Sequence, residues 1–311
     1  MDAISGLLAG PRAQGAFVLR SVLAPPWSMR IEDEAPLTIV AVVRGTAMLL
    51  PDAAPAQALG PGDVAVLRGP EPYTMADRAD TAPQVRIQPG QVCVAPDGTA
   101  VKGMGDLGLR TWGNSVDGDA VLVTGTYQLR TEVSQRLLAA LPAHLVVRAA
   151  DWPSPLVPYL ASEVARDDPG QDAVLDRLLD LLLIAALREW FARPEADTPG
   201  WYTANADPVV GPALRLIHSQ PADPWTVAAL AAATGVSRAA LARRFADLVG
   251  EAPMTYLTGW RLTLAADLLR EPDATIAAVA RQVGYGSAFA LSAAFKRVRG
   301  ISPAKHRAIP A

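Results

Sequence analysis

The chain has 311 residues, enough for two ordinary domains; half are hydrophobic and 19% are charged, which excludes wholesale disorder. The net charge of −3 conceals an asymmetry: residues 209–311 hold 12 Lys+Arg and 6 Asp+Glu, a net of +6, and residues 1–208 hold the other 16 and 25, a net of −9. A basic C-terminal third on an acidic body points to a polyanionic partner for that third, with chance asymmetry as the plain alternative.

The most apolar run, LLDLLLIAAL at 178–187, is flanked by charge and falls short of the ~18 residues a membrane span needs, so no membrane role is expected. The start, MDAISGLLAG, lacks a basic stretch followed by an apolar core, so no secretory leader is expected. A single cysteine, Cys93, excludes an internal disulfide and suits a reducing compartment, which makes the cytoplasm the expected location.

From about 15 to 128 the chain reads as β structure. Short apolar runs (FVLRSVL, LTIVAVV, TAMLL, DVAVLRG, AVLVTGTYQL) alternate with Gly, Pro and Asp clusters, as in an antiparallel barrel or sandwich, and PGD at 61–63 suits a turn between two strands. From about 132 the period becomes helical: VSQRLLAAL at 133–141, a candidate at 154–166, and a long helix over 170–192. Leucines ring much of that last helix, so it needs cover on two sides, either within one subunit or against a twin helix in a dimer. RPEADTPGWYTANADP at 193–208 has no period and reads as a linker. Helices are then expected at 209–219, 226–233, 237–249, 254–270, 275–283 and 287–299, with a short turn at 303–307. The domain reading is a β-barrel over 1–130, a helical extension with a possible dimerisation helix over 131–192, the linker, and an all-helical domain over 209–311.

That last domain contains a repeat. LAAATGVSRAALARRF at 230–245 and VARQVGYGSAFALSAAF at 279–295 share a short apolar helix, a glycine, a serine, and a leucine four residues before a phenylalanine. Gly235 and Gly284 suit the φ > 0 position that ends a helix, and Ser237 and Ser287 suit the N-cap of the next. This is helix-turn-helix geometry twice, with Leu241, Phe245 and Leu248 expected on the core side of the first second-helix. The joining helix of about 17 residues spans roughly 25 Å, which would set the two second helices roughly 34 Å apart, about one turn of DNA.

At this point the chain resembles the AraC-type transcription regulators. The C-terminal hundred residues carry the match through LAAATGVSRAALARRF, WRLTLAADLL and IAAVARQVGYGSAFALSAAFKRVRGISPAKHR. The front resembles the cupin-type sensor domain of one branch of that family, through SVLAPPWSMRI, VVRGTAMLL, the PGDVAVL turn and the bridge PGWYTANADPVVGPALRLIH. The resemblance implies an α+β multidomain protein: a cupin-like β-barrel with following helices, then two helix-turn-helix motifs. It implies a homodimeric, non-enzymatic regulator that binds double-stranded promoter DNA, contacts RNA polymerase, and answers to a small-molecule effector. Activation is the family's usual mode, and repression is the other.

On the expected DNA side stand Arg238, Ala239, Ala242 and Arg243. The resemblance makes Arg243 a base reader and Arg238 a groove-edge contact, each with a solvated arginine as the alternative; an arginine holds guanine O6 and N7 with paired donors. Arg244 points elsewhere. In the second helix the family's Glu and Arg places hold Ala288 and Ala293, leaving Phe289, Ala290, Ser292 and Lys296 on the groove side, with Ser287 also on the DNA face and ordinary core as the other reading of Phe289. Lys296, Arg297, Arg299, Lys305 and Arg307 suit phosphate anchoring, and His306 is expected near that surface.

A metal cupin needs clustered histidines. His144, His218 and His306 all fall outside the expected barrel; Thr38, Val40 and Tyr73 occupy places where the resemblance would put ligands. A metal-dependent enzyme is therefore rejected, and neither a metal nor any other cofactor is expected. Candidate effector-lining residues are Trp27, Arg30, Arg44, Tyr73, Met75, Cys93 and Trp112, each otherwise a core or rim residue. Rival readings are a DNA binder with no effector and a single-thiol redox sensor at Cys93, against which stand the lack of a second cysteine and the nearby Asp97.

Overall fold

A computed structural model describes residues 17–127, 131–193 and 198–308. These fall into two compact units, one of residues 17–127 with 141–193, the other of residues 131–140 with 198–308.

The first unit is built of two sheets. The strands are β1 (Phe17–Leu23), β2 (Ser28–Ile31), β3 (Leu37–Arg44), β4 (Ala47–Pro51), β5 (Gln57–Leu59), β6 (Val64–Arg68), β7 (Tyr73–Ala76), β8 (Val85–Gln88), β9 (Val92–Val94), β10 (Gly105–Gly108), β11 (Thr111–Gly113), β12 (Ala120–Tyr127) and β13 (His144–Val147). One sheet runs β10-β11-β1-β12-β3-β6-β13 and the other β5-β4-β7-β2-β8-β9. Most pairs are antiparallel; β1 with β11 and β2 with β8 are parallel. The β-branched content of LTIVAVV and AVLVTGTY suits these strands, and side chains alternate between the sheet interior and the outer face.

Two helices lie in this unit, α2 (Leu156–Val164) and α3 (Gln171–Phe191), following α1 (Glu132–Leu138) of the other unit. α3 packs on the outer face of β12: a Cβ on Gly125 would stand 2.6 Å from a methyl of Leu179, so the bare backbone there makes room for that side chain. The opposite side of α3 leaves Val174 and Leu181 exposed.

The second unit holds α1, α4 (Gly200–Thr203), a 3-10 turn at Ala204–Ala206, α5 (Val210–Ser219), α6 (Val227–Ala233), α7 (Arg238–Val249), α8 (Pro253–Leu268), α9 (Ile276–Gln282), α10 (Ala288–Arg299) and α11 (Pro303–Arg307). The expected C-terminal helices all form within two residues of their expected limits, because each is marked by an N-cap, a proline or a glycine.

Three segments differ from the sequence expectation. Residues 131–192 do not form one helical extension. HLVV at 144–147 becomes β13, paired with β6, so His144 stands opposite Leu67 at the rim of the sheet. α1 belongs with the C-terminal helices. Its first two amides, Glu132 and Val133, donate to the Asp267 carboxylate on α8 at 2.6 and 3.1 Å. The region read as a linker is folded over its described residues: Trp201 and Ala204 are buried and Asp207 receives hydrogen bonds from Val209 and Val210. Aperiodic sequence concealed it because a one-turn helix and a 3-10 turn are too short to show a period.

Candidate nucleic-acid interface and barrel cavity

The two helix-turn-helix motifs are α6–α7 and α9–α10. Threonines cap the first helices, Thr226 accepting from Ala229 N–H at 3.0 Å and Thr275 from Ala278 N–H at 3.1 Å. Serines cap the second, Ser237 accepting from Ala240 N–H at 3.2 Å and Ser287 from Ala290 N–H at 3.1 Å. Gly235 and Gly284 take φ of +73° and +81° in the turns, and Gly250 and Gly300 take +87° and +74° after α7 and α10. Leu241 and Phe245 of α7, and Leu291 and Phe295 of α10, are fully buried. Leu248, expected in the core, lies at the edge with 36% exposure.

The buried stripes fix which faces are outward. On α7 these are Arg238, Ala239 and Arg243, with Ala242 half-buried; neither arginine forms an ion pair among the described residues. On α10, Phe289 is 82% exposed, which excludes the core alternative for it, while Ser292 is half-buried and Lys296 and Arg297 are exposed. The Ser287 hydroxyl is exposed yet engaged in its cap.

Arg299, expected to anchor phosphate, is engaged within the protein. Its guanidinium lies 2.9 Å from Glu132 of α1 and over the Phe295 ring, which makes it a packing cation rather than an open phosphate anchor. Arg307 donates to the carbonyls of Leu269 and Ala274, closing the C-terminal end of α8, and His306 is buried with Nε2 3.1 Å from the Ala266 carbonyl. Arg244 forms a two-pronged bridge to Asp207, whose carboxyl it holds at about 2. His218, at the end of α5, stacks on Trp260 and meets the Tyr256 hydroxyl at 2.7 Å.

In the other unit a cavity of about 150 Å³ lies between the sheets. Alternation selects its walls: Thr38 and Val40 of β3, Leu122, Thr124 and Thr126 of β12, Met29 and Ile31 of β2, Tyr73 and Met75 of β7. Several of these are register partners, Thr126 with Thr38, Thr124 with Val40, Met29 with Met75 and Ile31 with Tyr73. Of the expected effector residues, Tyr73, Met75, Cys93 and Trp112 line it. Trp27, Arg30 and Arg44 do not. Trp27 is fully buried in the core, Arg30 pairs with Asp52 on the opposite face of β2, and Arg44 donates to the Gly118 carbonyl at 2.7 Å. Strand parity could have excluded Arg30, since it alternates with Met29 and Ile31. The sequence reading missed Asp33, Thr124 and Thr126; parity along β12 was the available signal for the threonines. Burial pushes the Cys93 thiol and the Tyr73 phenol up. Among the described residues, no group of three His, Cys, Asp or Glu is placed to hold a metal ion.

A family profile described as Cupin matches residues 2–192, and one described as Helix-turn-helix domain matches residues 230–309. An AraC-like transcription regulator of Streptomyces lividans is 34% identical over 100% of this chain and 99% of its own length. The chain belongs to the AraC-like transcription regulators. A second such regulator, of Streptomyces antibioticus, has the same identity and coverage. The regulator AlkR of Acinetobacter baylyi is 37% identical over 55% of this chain and 58% of its own. This AraC-family protein is thus a DNA-binding transcription regulator with a cupin-like N-terminal domain, and none of its described helices is long and apolar enough to cross a membrane.

Proposed function

We propose that this regulator is a cytoplasmic, homodimeric, non-enzymatic activator whose affinity for paired promoter sites is controlled by a small molecule in the barrel cavity. The observation that carries the reading is the outward pair Arg238 and Arg243 on a helix whose opposite side buries Leu241 and Phe245 completely. In the major groove Arg243 reads a guanine edge and Arg238 holds the groove margin. Ala239 and Ala242 allow close approach. Phe289 and Ser292 on α10 make apolar and hydroxyl contacts, with Ser287 at the helix start. Lys296 and Arg297 bind phosphates and add salt-dependent affinity.

Effector control is supported by the placement of α1. It follows β12, which lines the cavity, after a short stretch of chain, yet α1 packs in the DNA-binding unit. Asp267 grips its amides, Arg136 lies over the Tyr256 ring, and Glu132 joins Arg270 and Arg299. A ligand that favours one arrangement of this helix shifts the population competent for DNA and for RNA polymerase. The exposed Val174 and Leu181 on α3 support dimerisation through that helix. The raised pKa of Cys93 argues against thiol sensing, since the thiolate is the reactive form.

The test is selection of bound fragments from the source genome with the full chain and with Arg243→Ala. The reading expects a two-part site whose preference relaxes at one base position in the variant. An unchanged preference removes Arg243 as a reader.

A further inference from the structure

The cavity walls are narrow enough in chemistry to name the kind of molecule they take. The inference rests on the reading of the barrel as an effector-binding unit. Size comes first: about 150 Å³ is the volume of an engineered apolar protein cavity that holds a single benzene ring.

Charge comes second. Among the described residues no arginine, lysine or histidine lines the cavity, and the one carboxylic acid in its wall is Asp33. The Asp33 carboxylate accepts from the Gln91 amide at 3.0 Å and from Ala35 N–H at 3.2 Å, and meets no cation among the described residues. Arg30 is paired with Asp52 and Arg86 with Glu32, both on the opposite face of β2 and β8, while Arg68 lines a smaller adjoining pocket beside Asp33 and not this cavity. An anion entering the cavity would lose its hydration, find no counter-charge, and face Asp33.

Hydrogen bonding comes third. The described walls are otherwise apolar except for hydroxyls, the Tyr73 phenol among them, the Gln91 amide, the Cys93 thiol and the Trp112 indole. Burial keeps that phenol neutral, so it adds no charge. Each Asp33 carboxylate oxygen already accepts one hydrogen bond, and the carboxylate keeps lone pairs for a further donor.

We infer that the cavity takes a ring-sized, mostly apolar molecule whose polar end is a non-anionic hydrogen-bond donor, an alcohol or an amine, directed to Asp33, and that it rejects carboxylates of the same size. The chemistry is non-covalent recognition, and Cys93 serves as an apolar wall.

Calorimetric titration of the full chain with benzyl alcohol, benzylamine, toluene and benzoate tests this. Benzyl alcohol and benzylamine are expected to bind at least roughly tenfold more tightly than benzoate, with toluene between them. Asp33→Asn, with its fold checked by circular dichroism, is expected to weaken benzylamine most and to narrow the gap to benzoate. The inference is overturned if benzoate binds as tightly as benzyl alcohol, if none of the four binds at millimolar concentration, or if Asp33→Asn leaves their order unchanged. DNA affinity measured with and without each probe separates the two readings. Alcohol and amine binding with no change in DNA affinity sinks effector control and leaves the ligand class standing. A benzoate that alters DNA affinity through the cavity does the reverse.

Discussion

The two helix-turn-helix motifs share one scaffold and differ in almost everything placed on it. From the capping serine onward, positions in α7 and α10 correspond at an offset of 50 residues, Ser237 with Ser287, Leu241 with Leu291, Phe245 with Phe295 and Gly250 with Gly300. Before the turn the offset is 49, Thr226 with Thr275 and Gly235 with Gly284, so the extra residue lies within Tyr285–Gly286. The outward positions are complementary: Arg238 and Arg243 match Ala288 and Ala293, while Ala239 and Ala242 match Phe289 and Ser292. The scaffold needs the caps, the turn and the buried stripe, and places no packing demand on the outward face, where the two helices differ.

The turns diverge too. A Cβ on Gly235 would meet open space, whereas one on Gly284 would stand 2.6 Å from the Ala222 carbonyl oxygen. Arg261 of α8 holds that junction, donating to the carbonyls of Pro221 and Asp223 at 2.6 Å. The second turn is therefore seated against the loop ahead of the first motif.

Gly284→Ala is the sharpest way to break the comparison. It combines positive-φ strain with a backbone clash and is expected to destabilise the DNA-binding unit by about 2–4 kcal/mol, against about 1 kcal/mol for Gly235→Ala, in urea unfolding. Equal losses would mean the second turn is not a joint. Arg243→Ala comes next: a loss of about 1–3 kcal/mol at the preferred site, confined to one base position in a randomised-DNA selection. Phe289→Ala should weaken DNA binding by about 1 kcal/mol, the value of a partly buried aromatic, while leaving stability unchanged because the ring is exposed in the free protein. If Phe289→Ala or Ser292→Ala abolishes site preference and Arg243→Ala does not, the assignment of reading to the first helix fails. Lys296→Ala should reduce the slope of log affinity against log salt by about 1, equally for all sequences.

The smallest effect concerns pH and belongs to the first motif alone, since Ala294 stands where α7 has Arg244. The Asp207 carboxyl is held at about 2 against an ordinary 3.8 by its hydrogen bond from Arg244. A depressed carboxylate pKa stabilises the fold above the unfolded-state value and that stabilisation disappears as pH falls through the folded value. The urea midpoint of the wild type should therefore fall faster between about pH 4 and pH 2 than that of Asp207→Asn. Parallel curves would show that the bridge does not couple to folding.

The sequence was most legible where structure is local. Caps, glycine turns and the four-residue step from leucine to phenylalanine announce themselves within a few residues, so both helix-turn-helix motifs and the outward places of Arg238 and Arg243 could be read directly. The cavity was half legible: Tyr73, Met75, Cys93 and Trp112 are in its wall, but Trp27, Arg30 and Arg44 are not, because residue type suggests a pocket and only strand parity and pairing decide who faces it. Arg299 and Arg307 were misplaced for a similar reason, as composition marks a cation but not the carboxylate or carbonyl that engages it.

By itself, then, the sequence determined the identity and limits of the C-terminal helices, the β character of the front and the basic surface of the repeat, because short-range periodicity and capping encode them. Tertiary structure alone decided that α1 packs with the C-terminal helices, that HLVV at 144–147 pairs at the edge of a sheet, and that Asp33 lines the cavity. Those outcomes depend on contacts between residues far apart in the chain, such as Asp267 with Glu132 and β13 with β6, and no local pattern records them.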